Sequence, residues 1–443
     1  MAKRLSPKSN KWLLGVAAGS IAVISFVAYW RHALDAIPQV DPPSVTLPSP
    51  NAHDYYFRAA KALFRARQIT PGVTEFNIQK SLTLPGAAPP QELASLAAKI
   101  DNQLWLRNNT HTLKLIRTGF KHRYWAPVES MDDDILNDAR EFRGLCRLLT
   151  LESREKGKRG DWVGANQSAL DALYLGHHTA RGAPLKGYLV AVAMRAIART
   201  QLQAIIPHLD AATARATARR VEELEAQRIP LGDAFEQEKY NGQREIVDIM
   251  KDRNWRFELA AQSDNSKLPG ISLKLRRHLY SNQRIMNNFT EYVDACIEAS
   301  RAPYLGRSLP AIPDDPITPA HADVYQKLFW HVARAEAGQK TLVLQLALHA
   351  YKLEHGRFPA KLDLLVRSYL KQIPADPYGG GEPLRYRTER DTYVLYSIGP
   401  DGHDDNGKPI LDPSKPDKTV SGGGARYLTR AASKGDFVAN LNR

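Results

Sequence analysis

Apolar and polar positions along most of this chain recur at helical rather than strand spacing. In DYYFRAAKALFRARQ, Tyr56, Ala60, Leu63 and Ala66 follow one another at three or four residues, which places them on one helix face. Asn51 or Asp54 stands where a cap is needed. The same spacing predicts a helix over 91–118, through Leu93, Leu96, Ile100, Leu104, Leu113 and Ile116. Further helices are predicted over 132–155, 161–180, 185–206, 211–228, 231–260, 274–300 and 321–355. Asp132, Asp133 and Asp134 open one of them, where negative side chains suit the exposed N–H groups. Residues 70–90, 263–270 and 303–320 are punctuated by Pro, Gly or polar residues and read as connections. No repeat of fixed period is present, so the pattern describes a packed helical array rather than a regular solenoid.

Three stretches depart from that pattern. Residues 12–30, WLLGVAAGSIAVISFVAYW, contain no charge and are about as long as a bilayer crossing requires. Trp12, Tyr29 and Trp30 stand at the edges, and Lys3, Arg4, Lys8 and Lys11 precede the run. That bias predicts a single-pass inner-membrane anchor with residues 1–11 in the cytoplasm and the body in the periplasm. A cleaved signal peptide is the weaker reading, because the run is long for its apolar core and Leu34 is large for a site ending at Ala36. The shorter run at 188–198 contains Arg195 and reads as a buried helix of the body. Residues 31–51 are proline-rich and read as an extended tether. After Gly356 the period changes. RFPAKLDLLVRSYL reads as a proline turn and short helix, QIPADPYGGGEP as a turn cluster, and LRYRTE and TYVLYSIG as strands joined at Glu389, Arg390 and Asp391.

Composition adds little to this outline. The 443 residues carry a formal net charge of +14, spread along the chain. A diffuse excess suits acidic surfaces in general and specifies no nucleic acid. Cys146 and Cys296 are too few for a disulfide framework and read as buried thiols. His177 and His178 point apart on a helix. His349 and His355 bracket Glu354 at a spacing that is not His-Glu-x-x-His. The glycine runs at 378–383 and 421–426 lack the Lys-Ser/Thr helix of a phosphate loop. Glu129 with Asp132–Asp134 reads as a charged helix start. Lys274, Arg276, Arg277, His278 and Arg284 form a basic helix face that suits anionic glycans or headgroups, with solvated surface the stronger reading.

One segment resembles a known family. Tyr351-x-x-x-x-Gly356-Arg357-Phe358-Pro359 is followed by Leu362 and Leu365, then by Ile373-Pro374-x-Asp376-Pro377-Tyr378-Gly379. Next come Leu384-x-Tyr386 and Tyr393-x-Leu395-Tyr396-Ser397-x-Gly399-Pro400-Asp401-Gly402. Together, from about Leu342 to Asp405, these resemble the C-terminal part of the major pseudopilins of type II secretion systems. The resemblance implies a long helix packed on a short antiparallel sheet, closed by a calcium-stabilised loop. The matching ligand positions are Leu395, Ser397, Asp401, Asp404 and Asp405, with Asn406 beside them. Calcium takes six to eight oxygens, and three carboxylates with loop carbonyls are of the right kind. The chain departs from the family at its start: Gly15 is followed by Val16, and the apolar run has no glutamate. The prepilin-peptidase signal is missing, which argues against assembly into a filament. The whole chain also resembles membrane-anchored envelope proteins of Gram-negative environmental bacteria.

The expected protein is therefore mainly α. Its expected parts are a cytoplasmic segment (1–11), a transmembrane helix (12–30), a tether (31–51), a large helical body (52–302), a linker (303–320), a small pseudopilin-like α/β module (321–412) and a tail (413–443) that adds little. The expected function is a structural or interaction subunit of the envelope with protein partners there, accessory to secretion or assembly. The alternative is an envelope hydrolase whose residues meet in the helical body.

Overall fold

A computed structural model describes residues 34–41, 43–69, 102–127, 134–252, 280–412, 415–419 and 432–439, with isolated positions at 20, 25, 254 and 255. The expected span at 12–30 lies outside the described residues apart from Ser20 and Ser25. So do the loop at 70–90, the basic positions 274–278, the glycine run at 421–426, and Glu129, Asp132 and Asp133. The described chain is mainly α-helical with a small antiparallel sheet. Its helices are α1 (Ala52–Ile69), α2 (Thr110–Gly119), α3 (Asp134–Lys158), α4 (Trp162–His178), α5 (Leu185–Ile205), α6 (Ala211–Ala226), α7 (Leu231–Lys251), α8 (Asn282–Arg301) and α9 (Thr318–His355). By contact the chain divides into two units.

The first unit comprises 1–43, 239–295 and 310–324. Phe289, Val293 and Ile285 from α8 and Ile246 from α7 are buried. Lys239 pairs with Asp294 at 2.7 Å, and Gln243 donates to the Thr290 hydroxyl. The proline-rich stretch lacks helix over its described residues 36–51, yet its first part is held rather than free. Asn282 donates to the Asp35 carbonyl, and Pro38 is buried. Asp315 accepts from the backbone N–H groups of Ile317 and Thr318. That cap, with Pro319 in the first turn where its missing N–H costs nothing, starts α9 three residues before the predicted first residue, His321.

The second unit comprises 44–238, 296–309 and 325–443. Asn51 caps α1, accepting from His53, and also binds both the N–H and C=O of Trp125. It thereby ties the start of α1 to the segment after α2. Helix α5 is the one described helix long and apolar enough to cross a membrane, as part of Leu185–His208 with mean hydropathy 1.3. Its apolar residues pack into the core of this unit. Met194, Ala198, Leu202 and Ile205 join Leu145 and Leu149 of α3 and Leu173 of α4 in one cluster. At Gly176 a Cβ would come within 2.9 Å of the Arg195 side chain and 3.0 Å of its backbone nitrogen, so the absence of a Cβ lets α4 and α5 approach closely.

That same cluster takes in Leu342, Leu346 and Ala350 of α9, then Leu362, Leu365, Tyr369, Leu384 and Leu395. The C-terminal α/β part and the helices before it therefore share one core. Strand β1 (Arg385–Glu389) pairs antiparallel with β2 (Thr392–Ser397), in register from Arg385 opposite Tyr396 to Glu389 opposite Thr392. A separate pair, β3 (Leu411–Asp412) and β4 (Lys415–Thr419), follows. The last residues, expected to add little, return as β5 (Phe437–Val438) on the open edge of β2, giving the order β1-β2-β5. The signal was short: two apolar residues after Gly435-Asp436, too few to show alternation.

Candidate functional site

The terminal loop carries the residues singled out from sequence. Gly399 has φ 78°, Gly402 φ 72°, Asn406 φ 57° and Gly407 φ 79°. The path therefore runs through the left-handed region that glycine tolerates best. At Gly399 a Cβ would also run into the Gly435 carbonyl. Asp404 accepts from the Tyr396 hydroxyl at 2.9 Å, from the Asn406 N–H at 2.9 Å and from Arg385 at 3.3 Å. Burial acts to raise its pKa, but those three donors outweigh it and hold the carboxyl below the usual range. A residue that sequence reasoning missed completes the loop. Asp436 is fully buried and accepts from the backbone N–H groups of Asp405 and Gly407. Burial first, then the nearby charges of Asp404 and Asp405, push it up to about 6.

The six expected calcium ligands are placed in different ways. Asp404 and Asp405 are brought together around Asp436, and Asn406 follows in the same turn. Leu395 is buried, and its carbonyl accepts from Ala439 in the sheet. The Ser397 hydroxyl donates to Asp376 at 2.7 Å. Asp401 accepts from the His403 N–H within its own turn. Among the described residues no group of three or more His, Cys, Asp or Glu side chains converges as a metal site. The described donor set therefore does not assemble a calcium cage: the carboxylates do not converge on one site, and the hydroxyl and carbonyl expected to join them are used elsewhere.

Asp376, three per cent exposed, fastens the turn cluster to the sheet. It accepts from the Ser397 hydroxyl and from the N–H groups of Tyr378 and Ile398. Burial raises its pKa beyond what these bonds offset.

The pairs suited to acid–base chemistry in the helices are half-buried or buried. Tyr56 O–H lies 2.5 Å from His178 Nδ1. Burial, reinforced by Arg181, lowers His178 to about 4, so the ring is neutral and accepts. Burial likewise drives Tyr56 well above the usual phenol range. His177 Nε2 and Glu225 Oε1 are 3.1 Å apart, without hydrogen-bond alignment. Burial lowers His177 despite the carboxylate beside it, while His177, Arg195 and Arg228 keep Glu225 below the usual range against its own burial. Both cysteines are free and buried, and burial pushes Cys146 up to about 12, which removes thiolate reactivity.

Open concavities lie elsewhere in the second unit, on either side of α2. One, of about 570 Å³, is lined by Arg58, Lys61, Arg65 and His111 among others. The other, of about 710 Å³, lies between α2 with the helical residues 102–108 and the end of α3. No family model matches the chain, and neither a curated protein nor a solved structure matches it.

Proposed function

We propose that the protein is a membrane-anchored envelope subunit that acts by binding, held in the inner membrane by residues 12–30 with its body in the periplasm. The observation that carries this reading is that the charged residues walling the open grooves of the second unit are mainly cations. Cys146 is buried and His177, His178 and Glu225 are half-buried, outside the open grooves, in which Glu152 and Glu155 are tied up in ion pairs. A hydrolase needs a base or nucleophile facing its substrate. A binding subunit needs exposed, rigid surfaces, which the shared core provides.

The C-terminal part is read as a pseudopilin-like module kept for its fold. A long helix against a short antiparallel sheet, closed by the Gly-Pro-Asp-Gly loop, supports that reading. Joined to the helical body by one core, it serves as a fixed buttress and not as a filament unit.

Cross-linking in intact membranes followed by affinity capture tests the proposal. A discrete envelope partner is expected. Recovery of the chain alone, together with turnover of an envelope polymer by the purified protein, would replace it with the hydrolase reading. Protease added to spheroplasts should digest the body, and protection there would overturn the topology.

A further inference from the structure

The larger groove has a charge balance that the fold does not use. Six cations line it, Arg107, Lys114, Arg117, Lys121, Lys156 and Arg159, against the two carboxylates Glu152 and Glu155. Both carboxylates are already paired. Glu152 binds Arg117 at 2.5 Å and Lys156 at 3.3 Å, and Glu155 binds Lys158 at 2.5 Å. The remaining cations, Arg107, Lys114, Lys121 and Arg159, are exposed and have no carboxylate partner among the described residues.

The wall behind them is fixed. Arg117 also reaches Asp171 at 2.9 Å, and Ser168 donates to Glu152 while accepting from Lys156. Burial would lower the Arg117 pKa, but Glu152 and Asp171 more than offset it. This interlocked set holds the paired cations, so the four free ones project from a rigid frame.

Their number and placement give the ligand class. Arg107 lies in the helical stretch before α2, Lys114 on α2 and Lys121 in the turn after it, and all three line the groove. Arg159 stands on the opposite wall at the end of α3. A single small anion leaves most of this charge unanswered, whereas two or more phosphates answer it. Ammonium and guanidinium donors form their strongest hydrogen bonds with such oxygens. Leu106 and Leu113 add apolar surface for a carbon skeleton between the phosphates.

We propose that this groove is a binding site for a ligand bearing at least two phosphate groups, contacted by Arg107, Lys114, Lys121 and Arg159. The site is independent of the envelope-subunit reading, since a scaffold or an enzyme could carry it. The chemistry is shared by soluble polyphosphorylated metabolites and by bisphosphorylated lipid headgroups.

Full-length protein in nonionic detergent, titrated calorimetrically with inositol hexakisphosphate, tests the shared chemistry. Flotation with phosphatidylcholine vesicles, with and without cardiolipin, tests the lipid source. Lys114→Gln and Arg159→Gln should each weaken binding about tenfold, as loss of one charge-assisted contact does. Arg301→Gln, the same charge change on an exposed residue of α8, should leave it unaltered. Calorimetric binding without a cardiolipin preference assigns a soluble ligand, and a cardiolipin preference abolished by the variants assigns the headgroup. Binding in neither arm, equal weakening by Arg301→Gln, or citrate binding as tightly as the hexakisphosphate overturns the proposal. Arg107→Gln repeats the test on the other side of Asn109, should either first variant fold poorly.

Discussion

The terminal loop and the groove beside α2 are both rich in charge and use it in opposite ways. In the loop Asp376 takes three donors from the neighbouring turn and strand. Asp404 takes a phenol, an amide and a guanidinium, and Asp436 takes two backbone amides. Each of these carboxylates fastens a stretch of chain by hydrogen bonds, beside the small apolar cluster of Tyr378, Ile398, Ile410 and Phe437. In the groove the carboxylates are neutralised in place, and four cations remain for something outside the protein. Charge that the fold consumes reads as architecture. Charge that the fold leaves over reads as a binding surface. The two regions therefore differ in what removing a charge should do.

The largest effect is expected at Asp376. Asp376→Ala strands the Ser397 hydroxyl and two backbone N–H groups in a buried setting, at about 3–5 kcal/mol in total. Urea unfolding of the full-length protein in detergent measures it. A loss below about 1 kcal/mol would mean that the loop region opens to water easily and would erase its contrast with the groove.

The enclosed interior also predicts an acid response of nearly that size. His178 is lowered from 6.5 to about 4 by burial, so between those values the unfolded chain binds a proton that the folded chain refuses. Stability is unaffected above pH 6.5, falls as pH drops through the window, and has lost about 3 kcal/mol near pH 4. Unfolding midpoints of the wild type and His178→Gln, followed from pH 7 to pH 4, should differ in slope. Parallel curves would show that His178 titrates as in water and that the Tyr56 pair is open.

Gly399→Ala comes next. The residue has φ 78° and abuts the Gly435 carbonyl, so an added Cβ is opposed by both strain and contact, at about 2 kcal/mol. The same unfolding measurement applies. A neutral result would indicate that β5 does not hold the loop against β2.

These three positions also mark what could be read from the chain. The helices were legible because their apolar faces repeat every three or four residues over many turns. The hairpin at 385–397 was legible from alternation around a turn. Gly399 and Asp401 were visible as part of a motif. Asp436 was not, because its partners are backbone amides some thirty residues earlier, and the strand that delivers it spans only Phe437–Val438. Residue kind alone did not reveal where the Leu395 carbonyl and Ser397 hydroxyl point, since sheet pairing and Asp376 decide that. The basic stripe was present as Arg107, Lys114 and Lys121, seven residues apart in sequence. It lacked meaning until the end of α3 supplied an opposite wall and paired off the acids.

The smallest expected effect separates the two regions most sharply. Lys114→Gln removes an exposed charge with no carboxylate partner among the described residues, so unfolding should shift by less than about 0.5 kcal/mol. Because the substitution relieves repulsion among neighbouring cations, any shift should be towards greater stability, and added salt should shrink it. Asp404→Asn in the loop should move the other way. It weakens bonds from Tyr396 and Arg385 while easing the repulsion on Asp436, for a net loss of about 1 kcal/mol. If both substitutions destabilise alike, the groove cations are held by contacts of their own and the contrast fails. If Lys114→Gln is neutral in stability yet loses the polyphosphate, structure and binding rest on separate charges.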